Sequence, residues 1–421
     1  MSKWQDTVIG RLPSEWEINT LVDVASTGKK SIISGPFGSN IGRKYFVDEG
    51  IPVIRGNNLT LDIGTKFVDD GFVFLTPEKA DSLGTWASVD DLVFTAAGTI
   101  GQVGIITDDL NYPRYIISNK QLRATLDKDK IDPYFAYYWF ASNYMQRWII
   151  NWDTGSTIPL INLSVIKSLP VPFPPLSEQK AIAKVLSSLD DKIDLLKRQN
   201  QTLEALAQTL FREWFVEKAH DEWEEGVIGD YCDVVDCLHA KKPDEIEGSE
   251  DSKFLLQVYN IADGGIIDLS KKYYVSDDDY DEWIRRIELT KGDLIISKTG
   301  RVGAIAQIPK MKTGIGRNLV AIRAKENFSP EYLKDLMLSN WMKRKIHLNT
   351  SDGTILRSLH VKSISALPAF HPTKYLIDKY SDMVRPVHRK IWANVKQSEI
   401  LEKLRDTLLP KLMSGEVRVR H

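Results

Sequence analysis

The residues of this sequence that could do chemistry are hydrogen-bonding side chains in short, glycine-bearing segments. Arg, Lys, Asn, Gln, Ser and Thr are the side chains that bind the base edges and phosphates of nucleic acids. The candidates for such contacts in the first half of the chain are Ser34, Ser39, Asn40, Arg43, Lys44, Arg55, Asn57, Asn58, Thr95, Thr99, Asn119, Lys120 and Gln121. Those in the second half are Lys298, Thr299, Arg301, Arg317 and Asn318. The alternative is that these segments are ordinary turns whose polar residues are solvated.

Two further polar segments resemble each other, "DTGST" from Asp153 and "NTSDGT" from Asn349. Both could face phosphates. An Arg that reads a base is expected to set the preference at one position, whereas one that contacts a phosphate strengthens binding to every sequence alike.

Motifs of catalysis are incomplete in this sequence. "STGKKS" lacks the first glycine of a phosphate-binding loop, and "GIGRN" does not complete a dinucleotide-binding loop. "DPY" at Asp132 is not the Asp/Asn-Pro-Pro-Tyr/Phe motif of adenine methyltransferases. The seven histidines have no spacing that a metal site requires. We therefore expect binding without catalysis, with no catalytic residue, metal or cofactor in this chain.

Composition places the chain among soluble globular proteins. Its 421 residues are too many for one ordinary core, and 43% of them are hydrophobic and 27% charged. No apolar run approaches the roughly 20 residues of a membrane span, and the N-terminus has no apolar signal region. With only Cys232 and Cys237, a reducing, cytoplasmic setting is expected. The net charge of −2 means that any nucleic-acid binding must use local patches or a partner's charge.

The sequence repeats itself with a large period. Leu203-Glu204 matches Leu401-Glu402, and the same offset relates Thr209-Leu210 to Thr407-Leu408. Upstream, "DLVFTAAGTIG" from Asp91 pairs with "DLIISKTGRVG" from Asp293, and "SNYMQ" with "SNWMK". Several matches in order, at nearly one offset, indicate an internal duplication.

Each copy combines a globular part with a striped polar segment. We predict domains at residues 1–175 and 218–372, and helical segments at 176–217 and 373–421, the last including a C-terminal tail. Short β-branched runs bounded by Gly, Asp and Pro predict strands. "DPYFAYYWFASNYMQRWI" and "SPEYLKDLMLSNWMKRKI" each read as one helix, capped by Asp132 or Ser329. The predicted class is α+β.

The striped segments have the apolar period of a coiled coil. The predicted seam positions of the first segment are Leu186, Ile193, Asn200, Ala207 and Trp214, with Ile182, Leu189, Leu196, Leu203 and Leu210. Those of the second are Val384, Ile391, Ser398, Arg405 and Leu412, with Tyr380, Val387, Asn394, Leu401 and Leu408. Pro386 predicts a kink or a helix start near that residue.

Asn200 is the strongly polar residue of the first seam. The two segments could pair parallel or antiparallel, and a tandem repeat that folds back on itself favours antiparallel packing. Antiparallel packing places Asn200 opposite Asn394. A buried Asn pair lowers stability but fixes register, so we predict that this pair sets the register of the spacer. The alternative is a half-exposed Asn200 at a helix crossing.

Several segments resemble the DNA-specificity (S) subunit of type I restriction–modification systems. "PFPPLSEQKAIAKVLSSLDDKIDLLKRQNQTLEALAQTLFREWF" looks like that family's central conserved region, and "LLPKLMSGEVRV" looks like its distal one. "GSTIPLINLSVIKSLPVPFPPL" and "SGPFGSN…GIPVIRGNN" are also similar to it. The second copy departs from the pattern, because "GTILRSLHVKSISALPAF" lacks the Pro-Pro-Leu-x-Glu-Gln ending.

The resemblance implies two target-recognition domains in tandem, separated by two long helices packed as an antiparallel coiled coil. Each domain would read one half of a split site in double-stranded DNA, with the spacer setting the gap. Two adenine-N6 methyltransferase subunits and ATP-dependent restriction subunits are the implied partners, in a system of phage defence. S-adenosylmethionine and ATP would belong to those partners, and no membrane is involved.

Two other functions are compatible with parts of the sequence. A coiled-coil scaffold that binds only proteins fits the helices but not the polar loops in both copies. A self-contained nuclease or methyltransferase conflicts with the incomplete motifs.

Overall fold

A computed structural model describes residues 4–28, 30–153, 159–217, 223–238, 242–249, 251–326, 328–352 and 357–419. The chain forms two compact units. Unit 1 comprises Met1–Asp194 with Ser398–His421, and unit 2 comprises Leu195–Gln397. Helices and strands occur in both, so the predicted α+β class is confirmed.

Unit 1 contains twelve short strands and four short helices among the described residues. The strands are β1 (Trp4–Thr7), β2 (Gly10–Pro13), β3 (Glu17–Thr20), β4 (Ile32–Ser34), β5 (Ile51–Ile54), β6 (Val73–Leu75), β7 (Trp86–Ser88), β8 (Leu92–Thr95), β9 (Val103–Ile105), β10 (Arg114–Ile117), β11 (Gln121–Ala124) and β12 (Pro170–Phe173). The helices are α1 (Pro77–Leu83), α2 (Pro133–Phe140), α3 (Asn143–Ile150) and α4 (Leu163–Lys167). Single 3₁₀ turns lie at Gly38–Asn40, Arg43–Tyr45 and Gly56–Asn58.

Two four-stranded sheets organise unit 1, in the orders β6-β5-β10-β7 and β4-β11-β8-β9. The second sheet is antiparallel throughout, and Leu122 on β11 lies opposite Phe94 on β8. Its inner face packs on α2, where Phe135 and Phe140 are fully buried. Burial of such aromatic side chains supplies much of the free energy of folding.

A long helix, α5 (Leu176–Phe211), continues into a π-helical turn at Arg212–Glu217. Unit 2 then contains β13 (Glu224–Val227), β14 (Cys232–Asp236), β15 (Phe254–Leu256), β16 (Tyr273–Tyr274), β17 (Leu294–Ser297), β18 (Ile305–Gln307), β19 (Gly314–Ile315), β20 (Leu319–Ala324), β21 (Ser351–Asp352), β22 (Arg357–Ser358) and β23 (Pro368–His371). Its helices are α6 (Ile228–Tyr231), α7 (Asp277–Trp283), α8 (Pro330–Leu338), α9 (Asn340–Leu348) and α10 (Val361–Ser365). Its 3₁₀ turns are Val258–Asn260 and Asp263–Gly265, and a second long helix, α11, spans Lys374–Met413.

Unit 2 repeats the main sheet of unit 1 in the order β14-β20-β17-β18. Val320 on β20 lies opposite Ile296 on β17, as Leu122 lies opposite Phe94 in unit 1. Buried Tyr332 and Phe215 meet edge to face at 4.8 Å under this sheet. The repeated sheet accounts for the repeated sequence runs "DLVF" and "DLII".

The apolar run after each predicted cap forms two helices rather than one. Asp132 and Ser329 cap α2 and α8, as predicted, through their side-chain oxygens. Ser142 and Ser339 then cap α3 and α9, each accepting a hydrogen bond from a backbone N–H three residues later. The repeated "SNYM" and "SNWM" motifs are therefore N-caps, because an extended serine interrupts one helix and begins the next.

The long helices bury their apolar stripes. Every position predicted for the two seams is buried or half-buried. The prediction of a helix start near Pro386 is wrong, since α11 is continuous from Lys374 to Met413. Buried Tyr380, Val384 and Ile391 on both sides of Pro386 hold the helix against the loss of one backbone hydrogen bond. Among the described residues, no helix is both long enough and apolar enough to cross a membrane.

Candidate nucleic-acid interface

The end of β4 and the segment between β4 and β5 present five of the ten exposed candidates of unit 1. Ser34 ends β4, Ser39 and Asn40 lie on the 3₁₀ turn Gly38–Asn40, and Arg43 and Lys44 lie on the next turn. All five side chains are exposed. The Lys44 ammonium lies 4.8 Å from the centre of the Tyr45 ring, a contact that orients the lysine without neutralising it.

The turn after β5 contains one residue that differs from our expectation. Arg55 and Asn57 are exposed, but Asn58 is fully buried. The Asn58 carboxamide donates to the carbonyls of Val68 and Asp70, at 2.9 and 2.8 Å, and accepts from the Arg55 N–H. Asn58 therefore holds the loop, and its hydrogen-bonding groups face protein rather than solvent.

Thr95 and Gln121 are also buried, at 2% and 1% exposure. Thr95 donates to Gln102 at 2.8 Å, and Gln121 accepts a hydrogen bond from the Ser118 hydroxyl. DNA contact was predicted for Asn58, Thr95 and Gln121, but the protein itself covers these three side chains. They are therefore excluded from the DNA contacts proposed below. Thr99, Asn119 and Lys120 are exposed.

Unit 2 contains the same loop framework, which the sequence pattern did not reveal. Buried Asn260 donates to the carbonyls of Asp268 and Lys271, both at 2.7 Å, and accepts from the Gln257 N–H. The shared signal is an Asn at the end of "RGNN" and "QVYN" after a strand. The duplication thus extends to the hydrogen bonds that shape the loops.

Four candidates of unit 2 line one cleft of about 640 Å³. They are Lys298, Thr299, Arg317 and Asn318. Asp236 and His360 line the same cleft and were not predicted. The Asp236 carboxylate accepts a hydrogen bond from the Lys298 ammonium at 2.5 Å. The predicted contacts were cationic, amide and hydroxyl side chains, so the acidic partner of Lys298 was not among them.

Arg301 lies at a different place in unit 2. It donates to the Ile261 carbonyl at 2.6 Å and to the Asp263 carboxylate at 2.8 Å. It lines a second cleft with Lys343 and His347, which are exposed on α9. A guanidinium already bound to a carboxylate attracts phosphate less strongly than one that is unpaired.

The two asparagines of the predicted seam meet within unit 2. The Asn394 amide donates to the Asn200 carbonyl oxygen at 2.8 Å and also to Gln199 at 2.8 Å. Asn200 in turn donates to the Ile391 backbone carbonyl at 3.4 Å. Asn394 is fully buried and Asn200 is 8% exposed, so neither is a half-exposed residue at a helix crossing.

A buried ion pair joins α5 and α11 within unit 1. The Arg405 guanidinium donates to the Asp190 carboxylate at 2.8 Å, and Tyr138 donates to the other oxygen at 2.5 Å. Burial raises the pKa of Asp190, although the bonds from Tyr138 and Arg405 oppose this change. Burying both charges costs desolvation free energy. Removing one partner costs more folding stability, because the remaining charge would be buried unpaired.

Unit 2 has a similar buried network, in which the carboxylate lies on the domain rather than on the long helix. Asp335 on α8 occupies the position of Tyr138 on α2, and His388 occupies that of Asp190 at the repeat offset. The Asp335 carboxylate contacts His388 at 3.0 Å and accepts from the Tyr380 hydroxyl at 2.8 Å. Each copy therefore joins domain to helix through one buried carboxylate, located on the helix in one copy and on the domain in the other.

The described part of the chain contains no group of three His, Cys, Asp or Glu side chains placed to bind a metal ion. Both cysteines are buried and unlinked, and burial raises the pKa of the Cys232 thiol to about 12. The predicted phosphate-facing segments at Asp153 and Asn349 lie partly outside the described residues, which omit 154–158 and 353–356. In the described part of the first segment, Asp153 accepts from the Leu160 N–H at 2.8 Å.

Two units with the same sheet, the same asparagine-held loops and exposed hydrogen-bonding side chains define a duplicated recognition protein. Comparison with known proteins gives the family. Residues 13–205 match the model of the type I restriction modification DNA specificity domain. Residues 13–205 therefore carry a domain of this kind, and the chain is similar to the type I specificity subunits that its sequence motifs indicated.

The similarity to individual relatives extends along the chain. The MjaIX specificity subunit of Methanocaldococcus jannaschii is 25% identical, over 99% of this chain and 97% of its own length. The HindI specificity subunit of Haemophilus influenzae is 22% identical over 75% of this chain and 84% of its own. The crystal structure of an S subunit from M. genitalium shares the fold, with a TM-score of 0.57 and 18% identity over 94% of this chain and 96% of that one. These relatives are named as specificity subunits, in agreement with the class of protein predicted from the sequence.

Proposed function

We propose that this chain reads a bipartite DNA sequence, with one half read by each copy of the repeated domain. The domains are residues 1–175 and 218–372, and the spacer consists of residues 176–217 and 373–421. The observation that carries this proposal is the repeated loop framework held by Asn58 and Asn260. Two similar frameworks with different exposed side chains suit the reading of two different half-sites.

The spacer is proposed to be an antiparallel coiled coil that sets the gap between the half-sites. Within unit 1, Asp190 on α5 contacts Arg405 on α11, and Glu178 contacts Arg418 just beyond α11. Within unit 2, Asn200 contacts Asn394 and the Ala207 carbonyl contacts Tyr380. As the residue number rises along α5, the number of the residue that it contacts in or beyond α11 falls, as antiparallel packing requires. Helices of 36 and 40 residues are about 54–60 Å long at 1.5 Å per residue.

The side chains proposed to contact DNA are the exposed or half-buried members of the predicted set. In unit 1 they are Ser34, Ser39, Asn40, Arg43, Lys44, Arg55, Asn57, Thr99, Asn119 and Lys120. In unit 2 they are exposed Arg301, Arg317 and Asn318, together with Lys298 and Thr299, which are half-buried but line the cleft. These groups match the donors and acceptors that DNA phosphates and base edges require.

The proposed partners are double-stranded DNA, two adenine-N6 methyltransferase subunits and ATP-dependent restriction subunits. The relatives' names, which describe specificity subunits of restriction enzymes, support this assembly. S-adenosylmethionine and ATP would be bound by those subunits. Half-exposed Leu206 on α5 and exposed Ile400 on α11 are apolar side chains that a partner subunit could cover.

The test is methylation in a host free of adenine methylation, which expresses this chain with the methyltransferase subunit of its system. Sequencing of modified adenines is expected to reveal two fixed segments at a constant separation, and no modification without this chain. Assembly with the partner but no sequence preference would favour the scaffold function instead. Methyl transfer by the purified chain alone would revive the enzyme interpretation.

A further inference from the structure

At two equivalent positions the two copies carry side chains of different charge. In unit 2 these positions line the cleft. Lys298 donates its backbone N–H to Asn318, and its carbonyl accepts from Leu359. In unit 1, Ala96 donates its N–H to Lys120, and its carbonyl accepts from Ile161. Because the backbone bonds are the same, Lys298 and Ala96 occupy the same position of the repeated sheet.

The partner of Lys298 also has an equivalent. Asp236 lies opposite Val320 in unit 2, and Ser34 lies opposite Leu122 in unit 1. Val320 and Leu122 correspond, since each faces the penultimate residue of the next strand, Ile296 or Phe94. One copy therefore has Ser34 and Ala96 where the other has a carboxylate and an ammonium.

The backbone that carries this ion pair is fixed by other contacts. Cys237, which follows Asp236, donates its thiol to the Arg317 carbonyl at 3.0 Å, and the Cys237 carbonyl accepts from Arg286 at 3.1 Å. Ser297 donates to the Thr299 carbonyl at 2.7 Å. The side chains of Asp236 and Lys298 remain 17% and 14% exposed, so they face the cleft from a rigid base.

The Asp236–Lys298 ion pair is largely covered by protein, and its remaining exposed surface opens into the cleft. Its chemistry matches one kind of base pair. In the major groove, guanine offers two acceptors, N7 and O6, and cytosine offers the N4 donor. A lysine donates to the guanine atoms and an aspartate accepts from the cytosine amine.

We propose that the Asp236–Lys298 pair is a specificity-determining element of the second domain and that it selects a G·C base pair in one half-site. This inference rests on the proposed function. Ser34 and Ala96 carry no charge at the equivalent place, so the first domain has no such requirement there. The two halves of the recognised sequence would differ for this reason.

The experiment uses the full chain assembled with its methyltransferase subunit and a DNA library randomised at both half-sites. Wild-type protein is expected to select a G·C pair at one position of one segment. Lys298→Met is expected to reduce that preference on the order of tenfold and to leave the other segment unchanged. Asp236→Asn, which keeps the shape of the side chain, is expected to admit other bases at the same position.

Lys312→Met is the matched control, because Lys312 forms an exposed ion pair with Glu288 outside the cleft residues. An unchanged preference in both cleft variants would overturn the inference, and so would equal weakening at every position, which indicates a phosphate contact. Should Lys298→Met fail to assemble, Asp236→Asn and Lys298→Gln decide the question. Failure of the wild-type protein to select any sequence would instead overturn the proposed function.

Discussion

The Asn394 side chain donates a hydrogen bond to the Asn200 carbonyl oxygen at 2.8 Å, between α11 and α5. Leucine at both positions would bury more apolar surface, so this polar pair reduces the stability that the seam could reach. The two amides satisfy each other only when the helices pair in this register, since a register shift would bury each amide against an apolar side chain. Register specification is therefore the property that we expect it to provide.

Replacement of one asparagine is expected to destabilise unit 2. Asn394→Leu leaves the Asn200 amide buried without this partner, which costs about 1–3 kcal/mol in the free energy of unfolding. Asn200→Leu together with Asn394→Leu removes both groups and should recover most of that loss. Urea unfolding of the single and double variants measures the difference.

The double variant is nevertheless expected to lose its single register. Spin labels at exposed Leu206 on α5 and Met383 on α11 would report the distance between the helices. The chain with both asparagines should give one narrow distance distribution, and the double leucine variant a broad or divided one. One narrow distribution in both proteins would contradict a register function.

Removal of Arg405 is expected to be among the most damaging changes in unit 1. Arg405→Met leaves Asp190 unpaired at 1% exposure, with an expected cost of about 3–5 kcal/mol at neutral pH. Asp190→Asn in the same chain should restore stability, because an amide needs no counter-charge and still accepts from Tyr138. Lys411→Met is the control, since Lys411 forms an exposed pair with Glu416 at 3.7 Å.

The same variant should show a defined pH dependence. Burial raises the pKa of Asp190, so the folded state holds that proton more tightly than the unfolded state. Stability from this group is present below the unfolded pKa, roughly 3.9, and falls as pH rises through the folded pKa. Without Arg405 the folded pKa rises further. The deficit of Arg405→Met relative to wild type should therefore shrink in acid, as thermal unfolding between pH 4 and 7 would show; a deficit independent of pH would contradict it.

Neighbouring Asn57 and Asn58 should behave differently when changed. Asn58→Ala removes two donated bonds and one accepted bond inside the fold, and is expected to cost at least about 1–3 kcal/mol. Asn57→Ala changes an exposed side chain and should alter stability by no more than about 0.5 kcal/mol. Chemical unfolding tests both. Equal losses would show that the buried carboxamide is not what holds this loop.

The helix caps and Asn58 show which features of the fold could be predicted from the sequence. Local features were predicted well: Asp132 and Ser329 cap helices because a cap is decided by residues within one turn. The burial of Asn58 could not be predicted, because its acceptors Val68 and Asp70 are ten and twelve residues away. A polar residue after a strand is equally compatible with solvent, DNA or the chain's own carbonyls.

Longer-range features of the site were beyond the sequence for a similar reason. The Asp236–Lys298 pair joins residues 62 positions apart. Lys298 lies in the repeated run "DLIISKTGRVG", but Asp236 belongs to none of the motifs found in the sequence. The antiparallel partner of Asn200 was predictable because a duplicated heptad pattern restricts the possible registers to few. The duplication therefore made the pairing of the two helices predictable, which a single copy of the sequence would not have done.

A phosphate contact should be distinguishable from base reading by its salt dependence. Arg43 is exposed on a 3₁₀ turn of unit 1, and Arg43→Gln is expected to weaken binding to all DNA sequences alike. If the guanidinium binds one phosphate, the slope of log K against log salt concentration should fall in magnitude by about 0.9. Titrations of the assembled complex on its own site and on unrelated DNA, at several salt concentrations, measure this slope. Lys128→Gln is the control, because Lys128 is paired with Asp90 and lies outside the predicted set. A preference lost at one base position, with the slope unchanged, would instead assign Arg43 to base reading.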